Sequence, residues 1–392
     1  MNSLIKLKNY DKWTKNYTIT YKKYGKQGQT IYVSQEGKPG NAGTKEKPLD
    51  IYSAVRHAQP GQTILLAGGR YDLSQTIYIP RGIDGEPQKA GGKEAYNQYI
   101  RMMAADSKNR PVFDFHGQAA GMIACGDYWY FKDFDVTGSK DCEYGIQVSG
   151  SHCVFDRVDT YKNGYVGLCI CCAREEDTYR DWPSDNLILN CNSYLNADTQ
   201  RENADGFGAK CTNGSGNVFD GCIAAYNVGD GWDLFADNKI GNTGAVTVKN
   251  CIAYKNGYLL LDENNRPDEN GAAREANGTA IGFNMGGCGL AGGSIYDADY
   301  DSNAVVPYSG NKIMNSLAFY NLFEGVDSSS SYNLKVYGSV FYNNGGEGIS
   351  NRTAGSNIVL TTYDINRDTD YELKNVISFR TDGSAFLDSI SG

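Results

Sequence analysis

The sequence predicts an all-β fold, a β-solenoid whose N-terminal end is covered by a helical cap. Three observations carry that expectation. A six-residue fragment ending in Asn recurs along the chain, most copies are followed by a Gly-hydrophobic pair, and helical periodicity is nearly absent after residue 120. A unit of about 20 to 40 residues built from short strands cannot bury its apolar face alone, so such units stack on one another.

The cap comes first. In "KPLDIYSAVRHAQPGQTILLAGGRYDL", Asp50 precedes a helical pattern with Ile51, Ala54 and Val55 on one face, and Pro60-Gly61 stops it. The run Thr63 to Ala67 reads as the first buried strand. A solenoid has open ends, and an atypical segment of this kind is what covers one of them. Residues 1–392 are read as one domain, with a cap region at 1–75 and coils over 120–390.

The repeats follow in order: "VDTYKN" ending at Asn163, "CNSYLN" at Asn196, "CIAAYN" at Asn227, "CIAYKN" at Asn256, "SLAFYN" at Asn321 and "SVFYNN" at Asn344. "VISFRT", ending at Thr381, is a degraded last copy. The intervals run from 23 to 37 residues, apart from one of double length between Asn256 and Asn321. Segments such as "AVTVKNCIAY" alternate like strands broken by Gly and Asn. Stacking would place the six Asn in a ladder whose amides bond from rung to rung. Cys191, Cys222 and Cys251 would form a column of small thiols, and Tyr161, Tyr194, Tyr226 and Tyr254 would stack likewise.

Composition narrows the function. With 392 residues the chain can build a large elongated core, and 9 Pro are too few for a collagen-like or disordered chain. No apolar run reaches the length of about 18 residues that suggests a membrane span. A net charge of -9 and a pI near 5.0 argue against nucleic acid, which is gripped by clustered Lys and Arg. An acidic carbohydrate stays open, because a cation can bridge two sets of carboxylates. The eleven Cys form no C-x-x-C pair of pairs, and His57, His116 and His152 are the only imidazoles beside the Cys169, Cys171, Cys172 cluster. Buried thiols fit that pattern better than zinc. The opening "MNSLIKLKNYDKW" has no secretory apolar stretch, which leaves an intracellular protein or one whose leader has been removed.

The site emerges when the copies are aligned on the Gly-hydrophobic pairs Gly206-Phe207, Gly231-Trp232, Gly282-Phe283, Gly325-Val326 and Gly348-Ile349. The residues before Gly are Asp205, Asp230, Ile281, Glu324 and Glu347; those after the hydrophobe are Gly208, Asp233, Asn284, Asp327 and Ser350. Rungs lie about 4.8 Å apart, so Asp205, Asp230 and Asp233 fall within reach of one point. Three close carboxylates raise one another's pKa unless a hard cation compensates them, and calcium tolerates such geometry best. Solvated turn aspartates are the plain alternative, since Asp-Gly is a common turn pair.

The motifs "NADGFGAK", "GNVFDGCIAAYN" and "DGWDLFAD", with the cap "IYVSQEGKPGNAGTKEKPLDIYSAV", resemble polysaccharide lyase family 9 from about Ile31 to the rung near Asn344. The resemblance implies a right-handed single-stranded parallel β-helix and a pectate or rhamnogalacturonan lyase. It implies Ca²⁺ held by Asp205, Asp230 and Asp233, and a secreted or cell-surface monomer whose partner is an acidic plant cell-wall polysaccharide. Two positions depart from the family. A further Asp normally precedes the residue matching Asp230, where this chain has Gly229. The family's catalytic lysine lies in G-F-K-L-G-G, whereas this chain reads "GFNMGG" with Asn284 in its place.

A uronate lyase removes the weakly acidic hydrogen on C5, and the oxygen on C4 then departs by β-elimination. Asn cannot act as a general base. The remaining candidates are Lys210, whose alternative role is to hold the aspartates, Asp327 in the Asn284 column, and Arg274, a costly base because guanidinium stays protonated. Trp182 and Arg180 in "DTYRDWPSD" are candidates for a groove wall. Besides the lyase, a non-catalytic acidic-glycan-binding β-helix and a structural surface solenoid stay open.

Overall fold

The computed structural model describes residues 24, 29–86, 98–174, 177–236, 243–264, 266–286, 310–328, 331, 333–346, 356–361, 371–381 and 388–391. Alternation of inward and outward side chains, as in the strand Thr63–Leu66, gives each short strand one apolar face to bury. The chain satisfies this by winding into a parallel β-helix with three faces. Asn217–Asp220, Ile223–Ala225 and Trp232–Asp233 lie on successive faces. They pair in parallel with Val246–Lys249, Ile252–Tyr254 and Phe283–Asn284 of the next coil. Parallel pairing starts before residue 120. Thr30–Val33 pairs with Thr63–Leu66, which is therefore the second strand and not the first.

The cap helix is Ile51–His57, the one α-helix among the described residues. Asp50 accepts the Ser53 N–H at 2.8 Å, and Ile51, Ala54 and Val55 are buried, as the sequence pattern requires. Inside the coils, aromatic rings stack from rung to rung. Phe131 lies 4.5 Å from Phe155, and Trp232 lies 4.9 Å from Phe207 and 5.0 Å from Phe283. Among the described residues no helix is long and apolar enough to cross a membrane.

The asparagine ladder is present and fully buried. Each amide nitrogen donates to the next Oδ1 from Asn163 through Asn196, Asn227, Asn256, Asn321 and Asn344, at 2.9–3.0 Å. It continues to Asn357. The residue before each ladder Asn from Asn163 to Asn344 has positive φ, for example Leu195 at 56° and Tyr226 at 55°. For an L-residue that conformation costs about 1–2 kcal/mol, which the shared amides help to offset. The ladder also explains the Gly-hydrophobic pairs. A Cβ at Gly206 or Gly282 would stand 2.8 Å from the Nδ2 of Asn227 or Asn321.

Cys191, Cys222 and Cys251 form the expected column, with the Cys222 N–H donating to Cys251 Sγ at 3.4 Å. The column continues through Ser316 and Ser339, whose hydroxyls accept the same backbone bonds. Tyr161, Tyr194 and Tyr254 share an outward column, but Ala225 holds that position on the coil between them, and Tyr226, one residue further on, meets Tyr254 edge-on at 5.6 Å. Tyr161 and Tyr194 lie 5.1 Å apart, and Tyr254 is followed by Phe319, Tyr342 and Phe379 at 5.0–5.3 Å.

The long Asn256–Asn321 interval is not a missing rung. Ile252–Tyr254 pairs directly with Leu317–Phe319, so the 65 residues form a single coil with an excursion. Part of that excursion is an antiparallel hairpin, Tyr258–Leu261 with Ala272–Glu275. The expected pair Gly348-Ile349, with Glu347 and Ser350, lies outside the described residues. Ile358–Thr361 is the strand that pairs with Val326–Asp327.

Candidate metal centre and cleft

The third face places one outward column in register: Gln147, Cys169, Gly208, Asp233, Asn284 and Asp327. The neighbours Phe207, Trp232, Phe283 and Val326 turn inward, which fixes this column on the outer surface. Asp205 and Asp230 stand at the corner leading into the same face and tie coil to coil. Asp205 Oδ1 accepts the Asp230 N–H and Asp230 Oδ1 accepts the Ile281 N–H, both at 2.7 Å. Asp233 Oδ1 accepts the Phe235 N–H at 2.9 Å.

These bonds bring ligand oxygens of Asp205, Asp230 and Asp233 within 4.8 Å of one another, all on buried residues. Lys210 enters the group from just past the strand Phe207–Ala209 that carries Gly208. Its Nζ lies 2.6 Å from Asp205 Oδ2 and 2.6 Å from Asp233 Oδ2. The Lys210 stem passes over Gly208, where a Cβ would already stand 3.3 Å from it. Asn284 Nδ2 donates to Asp230 Oδ2 at 2.9 Å.

The group opens into a cleft of about 570 Å³ whose lining includes Tyr144, Tyr165, Glu202, Asn203, Phe235 and Thr279. Glu202 and Asn203 are carried there by a tight loop in which the Asp198 carboxylate accepts the N–H groups of Gln200, Glu202 and Asn203.

Electrostatics follow from burial. Burial pushes the Asp205 carboxyl up to about 6, with the Lys210 ammonium pulling it down and Asp233 pushing it up. Burial, then Asp205 and Asp233, lift Asp230 well above the usual carboxylate range. Burial opposes the Lys210 charge, but Asp205 and Asp233 outweigh it and raise its pKa. Three carboxylates and one ammonium leave a formal charge of -2 when all are ionised (-3 + 1), the charge one divalent cation neutralises. Oxygen-only donors of this kind suit a hard ion such as calcium. The residues present therefore fit one.

A family description, "Pel9A-like, right handed beta helix region", matches residues 31–358. The chain belongs to the Pel9A-like right-handed β-helix family. It is 32% identical over 386 residues to "Pectate lyase L" of Thermoclostridium stercorarium, covering 98% of this chain and 27% of that protein. It is 38% identical over 263 residues to "Pectate lyase L" of Paenibacillus polymyxa (strain SC2), covering 66% of this chain and 54% of that one. The crystal structure of pectate lyase Pel9A superposes with a TM-score of 0.57 at 27% identity, covering 92% of this chain and 82% of that chain. The chain thus spans between about a quarter and just over half the length of these two curated relatives.

Within this Pel9A-like framework, the other sequence-predicted residues fall apart. A Cβ on Gly229 would stand well inside van der Waals contact of Asp205 Oδ1. In this geometry the Asp205 carboxylate occupies the space that a side chain at 229 would need. Arg274 is exposed on the hairpin and does not line the cleft. Asp327 is in register with Asn284 but is also absent from the lining. Trp182 and Arg180 form no wall here; Trp182 is buried edge-on against Tyr179 at 5.7 Å. Phe235, Glu202 and Asn203 were missed in the sequence. Phe235 had a faint signal as the exposed-to-be aromatic in "DGWDLF", outside the inward alternation of that strand.

Proposed function

We propose that this chain is a calcium-dependent pectic polysaccharide lyase that cleaves galacturonate-containing chains by β-elimination. The observation that carries the reading is the buried Asp205–Asp230–Asp233 group opening into a cleft on a Pel9A-like β-helix. The relatives named pectate lyase supply the reaction class. Homogalacturonan and rhamnogalacturonan I are both substrates to test, and a secreted or cell-surface setting and a monomeric state belong to the same proposal.

In this reading Asp205, Asp230 and Asp233 hold the ion, and the Asn284 amide keeps the Asp230 carboxylate turned toward the cleft. A bound calcium ion would compensate those acids and the substrate carboxylate, which makes the adjacent C5–H more acidic. Lys210 is the only Lys or Arg that lines the cleft among the described residues, and it is the proposed acceptor of the C5 proton. To accept it, the side chain must be neutral, and the two carboxylates on its Nζ oppose that in the metal-free protein.

That opposition, with Asn284 where the family carries its lysine, favours a second reading in which the cleft binds acidic glycans without cleaving them. Incubation with homogalacturonan and with rhamnogalacturonan I, with and without a chelator, separates the two. Growth of the ultraviolet absorbance of an unsaturated uronate, abolished by chelator, supports the lyase. Calcium-dependent retention on a pectin gel with no new absorbance refutes it in favour of the second reading.

A further inference from the structure

We infer that Phe235 is a sugar-stacking platform that binds a galacturonate unit next to the reacting one. This rests on the polysaccharide reading above and deepens it. Phe235 lines the cleft and is 49% exposed, whereas Trp232, just before it on its own coil, and Phe207 on the preceding coil are buried in the core. Among the described residues its ring makes no aromatic pair, unlike the exposed Tyr320 and Phe379, whose rings are engaged by Phe319 and Tyr342.

The exposed ring projects from an anchored stretch of backbone. The Phe235 N–H donates to Asp233 Oδ1 at 2.9 Å, and its C=O accepts the Cys211 N–H at 2.7 Å. Two backbone bonds thus fix the Phe235 main chain relative to the acidic group, one of them directly to a member of it. An apolar face kept in water beside a polar cluster gains only when a ligand covers it.

The chemistry of the cleft selects the ligand. Successive galacturonates each carry a carboxylate, yet among the described lining residues Lys210 is the single basic side chain, and it already serves Asp205 and Asp233. A neighbouring unit therefore has no Arg or Lys among the described lining residues to grip its acid. It does have an aromatic face. A galacto-configured pyranose presents its hydrogens on C3, C4 and C5 on one side, an apolar patch that fits an aromatic ring. The reacting unit cannot use that side, because stacking would bury the C5–H that must be removed. Phe235 is consequently assigned to an adjacent unit, and it acts on affinity and chain-length preference.

The test compares the unmodified chain with Phe235→Ala and Phe235→Trp in calcium-containing buffer, titrating galacturonic acid and trigalacturonate by calorimetry. F235A should weaken trigalacturonate binding roughly three- to tenfold, the range an aromatic contact supplies. Its affinities for Ca²⁺ and galacturonic acid should be unchanged. F235W should retain trigalacturonate binding, and its emission should shift with trigalacturonate and not with galacturonic acid. Where turnover is measurable, F235A should raise KM with little change in kcat. Trigalacturonate affinity in F235A equal to that of the unmodified chain overturns the assignment alone. No binding of any uronate by the unmodified chain overturns the polysaccharide reading, and this inference with it.

Discussion

Replacing Lys210 by Met removes the ammonium from between Asp205 and Asp233 while keeping most of the side-chain volume. In the metal-free protein Asp205 has its pKa raised from 3.8 to about 6, chiefly by burial. That displacement costs roughly 3 kcal/mol of stability at neutral pH, at about 1.4 kcal/mol for each tenfold change in proton affinity. The sign runs with pH: a carboxyl whose pKa rises on folding is harmless below about 4, and its penalty grows up to about pH 6 and is then constant. Without Lys210 the Asp205 carboxyl moves further up, so its penalty keeps growing through neutral pH.

Breaking a buried ion pair by removing one partner costs about 3–5 kcal/mol. Asp205 escapes part of this by taking up a proton, so the expected loss in K210M is about 3 kcal/mol at pH 7 in chelator. The gap should close toward pH 5, where Asp205 protonates and a buried ammonium would itself be costly. Urea unfolding at pH 5, 6, 7 and 8, with chelator present, reads this directly. A loss of stability that is the same at every pH refutes the electrostatic account of Lys210.

Three further outcomes follow from the same geometry. Asp230→Asn keeps an acceptor for the Ile281 N–H but removes one charge, so calcium should no longer protect the fold. In the unmodified chain, calcium at a hundred times its Kd should add about 2.7 kcal/mol, read as a rise in Tm. Gly229→Ala puts a methyl group where Asp205 Oδ1 now lies. Calorimetry should find calcium affinity lowered at least tenfold, while circular dichroism reports an intact β-helix. Asn227→Ala removes the acceptor of Asn196 and the donor to Ser193 and Asn256. With about 1 kcal/mol per bond and 1–3 for a stranded buried group, the loss should be roughly 3 kcal/mol in urea unfolding.

How much of this was legible beforehand depends on how each feature is encoded. The ladder Asn, the thiol column and the Gly-hydrophobic pairs recur in the sequence because each coil contacts only its neighbours. The same local requirement returns at every rung, and aligning the copies gives the register. Asp205, Asp230 and Asp233 were found in that way, since the repeat itself brings them together. The cap was legible for a different reason: Asp50 and the apolar face of Ile51–His57 are local signals that need no tertiary partner.

The three-dimensional structure alone decided what happens between the repeats. The position of Lys210 Nζ between two acids depends on the missing side chain at Gly208 and on the path of a flexible stem. No spacing rule specifies that. The filling of the Gly229 space by Asp205, the burial of Trp182 and the arrival of Glu202 and Phe235 at the cleft depend on loops of unequal length. A periodic sequence fixes which coils stack. Where the irregular segments converge is set by packing and backbone bonds among residues far apart in the chain, and these carry no period to read.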